Sequence, residues 1–158
     1  MVLTDLLAPD SVVQGLDVGS KKQALQEIAS LAARRTGLPE REVFDTLLQR
    51  ERLGSTGVGH GIAIPHGKLV GLSKLSAFFF TLAQPIDFEA LDDQPVDLVF
   101  CLLAPEDAGA DHLKALNKIA RTVKQPGMID ALRAAEDAKE LYALLTAAAA
   151  QAPAAQAS

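Results

Sequence analysis

Tryptophan is absent from this sequence, tyrosine and cysteine occur once each, and histidine occurs three times. The lone cysteine, Cys101, cannot close an internal disulfide, so the fold must hold without covalent staples and a reducing, cytoplasmic compartment is expected. An excess of basic residues is also missing: 15 lysines and arginines face 20 acidic residues, for a formal charge of −5. No basic stripe can therefore track a phosphate backbone, and nucleic acid is not an expected partner. The nearest thing to a long apolar run lies between Asp97 and Pro105. That is far short of the roughly 20 residues that cross a bilayer, so no membrane insertion is expected. The opening "MVLTDLLAPD" lacks the basic start and apolar core of a signal peptide.

What is present is apolar surface in short pieces, 49% of the residues in all, enough for one domain around a single core. In "SKKQALQEIASLAARRTG", Ser20 precedes Gln23 by three positions, then Ala24, Leu25, Ile28, Leu31 and Ala32 recur at helical spacing up to Gly37. "LPEREVFDTLLQRERLG" repeats that grammar, with Pro39, Glu40 and Glu42 at its start, a stripe of Val43, Phe44, Leu47 and Leu48, and Gly54 as the stop. Three apolar stretches of strand length follow, "GIAIP", "LSAFFFTLA" and "VDLVFCLLA". Two are apolar throughout rather than alternating, which predicts an α/β fold with a sheet buried on both faces by helices. Phe78, Phe79 and Phe80 belong to that core, and Cys101 reads as a buried structural thiol. "ADHLKALNKIARTVKQPG" predicts a further helix with Leu113, Leu116, Ile119, Ala120 and Val123 inward. A short helix over "MIDALRAA" and a last one through Leu141, Leu144 and Leu145 complete the domain, 1–146. The alanine-rich segment 147–158 has too little apolar surface to offset its ordering entropy and is expected to fray.

"GVGHGIAIPHGK", residues 57–68, holds two of the three histidines, each beside a glycine. Glycine and proline neighbours expose backbone, so packing is a poor reason for these histidines. A phosphate loop fails on spacing: five residues separate Gly61 from Gly67 and Leu69 follows Lys68, where a Walker loop has four residues and then Lys-Ser/Thr. A dinucleotide fingerprint fails because Ile62 stands where its third glycine belongs. Neutral imidazole suits zinc, but His60 and His66 are six apart, no nearby cysteine completes a set, and Asp111 beside His112 is the only adjacent carboxylate.

The remaining chemistry is nucleophilic: an imidazole that takes up a phosphoryl group and passes it on. His66 suits it, with Pro65 fixing the backbone before it and Gly67 removing a side chain that would block an incoming partner. Phosphoryl transfer spreads negative charge over oxygens, and Arg50, Arg52 and Lys68 supply positive charge close in sequence. "GADHL" puts His112 in the first turn of its helix, with Asp111 as N-cap, where it can hydrogen-bond a phosphoryl oxygen or orient His66. Ser55 and Thr56 either donate hydroxyls to the phosphoryl group or cap the loop.

"QRERLGSTGVGHGIAIPHGK" resembles the signature of enzyme IIA of the fructose/mannitol class of the bacterial phosphoenolpyruvate-dependent phosphotransferase system. "GSTG", "IPHGK" and "PIDFEALDDQPVDLVFCLLAPEDAGADHLKAL" resemble its nitrogen-regulatory branch most, and the resemblance spans about residues 5 to 146. It implies a single compact domain with a mixed, mainly parallel sheet flanked by α-helices. It further implies that His66 is phosphorylated on Nε2 by a phosphohistidine carrier protein of the NPr/HPr type, charged by enzyme I from phosphoenolpyruvate. Arg50, sixteen residues before His66, matches the family arginine, and His112 the second active-site histidine. The family does not require histidine at position 60, which makes His60 a rim residue. No cofactor is implied, and the outputs are regulatory contacts such as potassium transport or sensor kinase proteins. Two alternatives stand beside this one: a sugar-specific enzyme IIA that passes phosphate to a membrane permease subunit, and a non-catalytic metal-binding or interaction module.

Overall fold

In an extended chain successive side chains leave opposite faces, so three consecutive phenylalanines can be buried only if both faces are covered. The computed structural model, which describes the backbone of residues 2–157 and the side chains of 2–147, covers both. A 3-10 turn (Leu3–Asp5) leads into β1 (Leu7–Leu16), α1 (Lys21–Thr36), α2 (Glu40–Arg52), β2 (Gly57–Gly59), β3 (Ile62–Ala63) and β4 (His66–Leu69). Then come β5 (Ser76–Ile86), β6 (Val96–Pro105), α3 (Ala110–Val123), α4 (Met128–Ala134) and α5 (Ala138–Ala157). Apart from Ala147, the segment expected to fray, 147–158, falls outside the residues described in full.

Among the described residues the sheet has six strands, ordered β1-β5-β6-β3-β2, with β4 on β6. It is mixed and mainly parallel: β1 on β5, β3 on β6 and β4 on β6 run parallel, while β5–β6 and β2–β3 run antiparallel. Phe79 stands opposite Phe100 across the β5–β6 ladder, their rings edge to face at 5.3 Å. These two and Leu102 pack with Ala115, Ile119, Leu132 and Leu141 from the three C-terminal helices. Phe78, Phe80, Cys101 and Leu103 face the other way, onto Leu25, Ile28, Val43 and Leu47 of α1 and α2.

The helix signals hold in detail. Ser20 Oγ accepts the N–H of Gln23 at 3.2 Å, and Gly37, at φ 78°, donates its N–H to Ala33. Three expectations need correction. Asp111 is not the N-cap of α3; Gly109 is, at φ 59° and ψ −129°, a conformation that glycine adopts without steric cost. Leu113 does not face inward but is 62% exposed. "GIAIP" contributes only two strand residues, because Pro65 interrupts the pairing and β4 resumes it beyond. The strand β1, which the sequence reading missed, contains Pro9 and lies at a sheet edge with irregular register, where a missing N–H and a broken alternation are tolerated.

Phe100 is fully buried and truncating it removes a ring contact as well as volume. Phe100→Ala is expected to cost about 3–5 kcal/mol, read in urea unfolding as a lower midpoint at unchanged slope.

Candidate functional site

The site begins at the interruption. Ile64 donates its N–H to the Thr56 carbonyl and Leu102 donates to the Pro65 carbonyl, both at 2.9 Å, so the Ile64 carbonyl is left free of the ladder. It meets the ring of His66, the first residue of β4, with Nδ1 2.8 Å from the oxygen. A carbonyl only accepts, so Nδ1 carries the proton and Nε2 keeps its lone pair. Arg50 agrees with this tautomer: its Nε–H donates to His66 Nε2 at 3.3 Å. Burial holds the pKa of His66 below its ordinary 6.5, and the Arg50 charge pushes the same way, against the Ile64 carbonyl and Glu51. The half-buried ring is thus poised neutral, with its nucleophilic nitrogen beside a permanent cation.

Arg50 sits on the last turn of α2, and its Nη1 donates to the Gly54 carbonyl at 2.9 Å. It forms no ion pair among the described residues. What brings it to His66 is Gly67. A Cβ at Gly67 would lie 2.6 Å from Thr46 Cγ2, and Thr46 is one helical turn before Arg50 on the same face of α2. Glycine here admits α2, and with it Arg50, against β4.

His112, third residue of α3, completes the cluster with its ring centroid 5.6 Å from that of His66, edge to face. Its pKa is lowered by burial, then by the His66 and Lys68 charges. Its Nε2 is buried and has no hydrogen-bond partner among the described residues. Lys68 is exposed two positions beyond His66, on the same side of β4. Ser55 and Thr56 have their hydroxyls committed elsewhere, to the Phe88 carbonyl at 2.8 Å and to the Glu51 carboxylate. Arg52 is exposed.

His60 lies apart, at the tip of the β2–β3 hairpin with φ 58°. Its N–H donates to Asp92 and its carbonyl accepts from Arg133, which also forks onto Asp97 at 2.8 and 3.0 Å. A cavity of about 580 Å³ adjoins it, but none of His66, Arg50 or His112 lines that cavity. Among the described residues no three His, Cys, Asp or Glu side chains converge as metal ligands.

One buried charge has no place among the sequence expectations. Glu51 is buried, although "QRER" looks like a solvated run. Its signal was the stripe itself, since Val43, Leu47 and Glu51 recur every four residues along one helical face.

Such a cluster can attack phosphorus and hold the oxygens that follow. Comparison with known proteins points the same way. Residues 5–148 match the family described as "Phosphoenolpyruvate-dependent sugar phosphotransferase system, EIIA 2", and the chain belongs to that family. It is 58% identical over 145 residues to the nitrogen regulatory protein of Bradyrhizobium diazoefficiens, covering 92% of this chain and 95% of that protein. It is 46% identical over 128 residues to the nitrogen regulatory protein of Escherichia coli K12, covering 80% of this chain and 78% of that protein. The crystal structure of nitrogen regulatory protein IIA-Ntr from Neisseria meningitidis superimposes with a TM-score of 0.86 at 38% identity, over 91% of this chain and 99% of that chain.

Because the native pKa of His66 is lowered, the unfolded chain binds a proton first as pH falls. The stability His66 contributes is therefore full above its unfolded pKa of about 6.5 and is lost as pH falls through the lowered native value. Arg50→Ala should raise the His66 pKa, followed by NMR titration of the ring protons. Gly67→Ala should raise it too, by less, because displacing α2 weakens the Arg50 contact without removing the charge.

Proposed function

We propose that His66 Nε2 takes a phosphoryl group from a phosphohistidine carrier protein of the NPr/HPr type, itself charged by enzyme I from phosphoenolpyruvate, and that the resulting state regulates partner proteins. The observation that carries this is the pinned tautomer: with Nδ1–H held by the Ile64 carbonyl, only Nε2 offers a lone pair, and Arg50 stands at that nitrogen. Arg50 Nε–H releases that lone pair, which attacks phosphorus and forms the new N–P bond. The donor's N–P bond breaks, and its electron pair returns to the donor's ring nitrogen. The phosphorylated His66 ring carries positive charge, which the Ile64 carbonyl stabilises through Nδ1–H. Arg50 and Lys68 supply positive charge for the phosphoryl oxygens, and His112 Nε2, unpartnered, supplies a hydrogen bond. Ser55 and Thr56 we assign to holding the loop and Gly67 to spacing α2 from β4.

The surroundings suit a protein donor. Leu53, Val70 and Leu113 are 86%, 71% and 62% exposed, and each follows closely on a site element: Arg50, β4 and His112. Exposed apolar side chains that follow charged site residues in the chain fit a docking face better than a small-molecule cleft. The names of the relatives support a nitrogen-regulatory output; potassium transport or sensor kinase proteins as its targets, and a cytoplasmic setting, belong to the proposal itself. No helix of the described residues is long and apolar enough to cross a membrane. About two added negative charges on this face change which partners dock there.

Incubation with phosphoenolpyruvate, enzyme I and the carrier should add one acid-labile phosphoryl group by intact mass, absent from His66→Ala. An adduct that persists in His66→Ala would sink the assignment, and onward transfer to a fructose- or mannitol-type permease subunit would favour the sugar-specific role. Leu113→Glu should raise the KM for the carrier by about tenfold, the equivalent of about 1.4 kcal/mol, with kcat kept.

A further inference from the structure

Glu51 is the only buried ionisable side chain of its charge among the described residues, 2% exposed, and both of its oxygens are occupied. Oε1 pairs with Lys21 Nζ at 2.8 Å and accepts the Thr56 N–H at 3.1 Å, while Oε2 accepts the Thr56 hydroxyl. Lys21 is itself steadied over the Phe88 ring at 4.9 Å and lies 3.7 Å from Glu89. An ion pair taken out of water seldom stabilises a fold more than apolar side chains of the same size would, and Glu51 sits where the Val43–Leu47 stripe would continue. Its presence calls for a geometric reason.

The hydrogen bonds supply one. Thr56, clamped by Glu51, accepts the Ile64 N–H through its carbonyl, and the carbonyl of Ile64 holds His66 Nδ1. On the other side, Arg50 reaches His66 Nε2 directly while its Nη1 grips the Gly54 carbonyl, two residues before Thr56. Two adjacent residues of α2 thus address the two nitrogens of one imidazole, Arg50 by contact and Glu51 through Thr56 and Ile64.

We propose that Glu51 is a positioning residue for His66: with Lys21 as its counter-charge, it fixes the loop whose Thr56 aligns the Ile64 carbonyl, and so sets which ring nitrogen faces the phosphoryl donor. The catalytic part of this rests on the function proposed above; the orienting part does not. Removing the carboxylate charge loosens Thr56, frees the Ile64 carbonyl to drift and lets the His66 ring sample its other tautomer.

The test is Glu51→Gln, read first by ¹⁵N NMR of the His66 ring at a pH where it is neutral and then by the kinetics of phosphorylation by the carrier. The expected result is a shift from a dominant Nδ1–H tautomer towards a mixture, with kcat down about tenfold to a hundredfold and KM for the carrier unchanged. Glu51→Asp, which keeps the charge, should recover part of both. Should Glu51→Gln fail to fold, Thr56→Val removes one carboxylate contact and keeps the backbone N–H, and should shift the tautomer in the same direction. An unchanged tautomer together with an unchanged kcat, whatever the loss in melting temperature, would overturn the proposal by making Glu51 a purely structural residue. A tautomer shift in a protein whose wild type takes up no phosphoryl group would uphold the orienting role and reject the proposed function instead.

Discussion

The hydrogen bond between His66 Nδ1 and the Ile64 carbonyl is the constraint from which the site is organised. It spans two residues across Pro65. Pro65 turns its carbonyl to Leu102 of β6 and Ile64 turns the other way, donating to the Thr56 carbonyl, while Thr56 gives its own N–H to Glu51 and so leaves the Ile64 carbonyl to the ring. β3 and β4 lie on the same edge of β6 on either side of this turn. A neutral imidazole with its proton fixed on one nitrogen has only one way to react, and that direction faces Arg50.

Electrostatics then favour the neutral form of the ring. Burial and Arg50 both disfavour its protonation, and Ile64 and Glu51 oppose them without reversing the outcome. An imidazole made too acidic would be a poor nucleophile, and one left at its solution pKa would spend part of its time protonated and inert near neutrality. The Lys21–Glu51 pair places a compensated charge behind the loop instead of an open one, and among the described residues Arg50 and Lys68 form no ion pair. The helix geometry enforces the arrangement, because the contact between Gly67 and Thr46 fixes how closely α2 can approach β4.

Much of this was legible in the sequence, and the failures share a cause. α1 and α2 announce themselves through capping residues and apolar stripes, signals that depend on neighbours a few positions away. The core strands β5 and β6 announce themselves through unbroken apolar runs, and the histidine loop through its glycines and proline. β1 and β4 carry no such pattern: one is an irregular edge strand, and the other is four residues of "HGKL" held only because β6 offers an open edge. The role of Gly67 and the burial of Glu51 were hidden for the same reason. Both depend on what a second element does at that point in space, Thr46 in one case and Thr56 in the other.

The exposed Leu53, Val70 and Leu113 carry one more consequence. They follow closely in sequence on Arg50, β4 and His112, so under the proposed function a protein that gives this chain its phosphoryl group and a protein that receives it from His66 must cover overlapping ground. Donor and recipient therefore cannot be bound together. Under the proposed function the chain passes its signal by turns rather than by bridging, and its charged fraction at any moment reflects the competition between suppliers and readers for one small patch of surface.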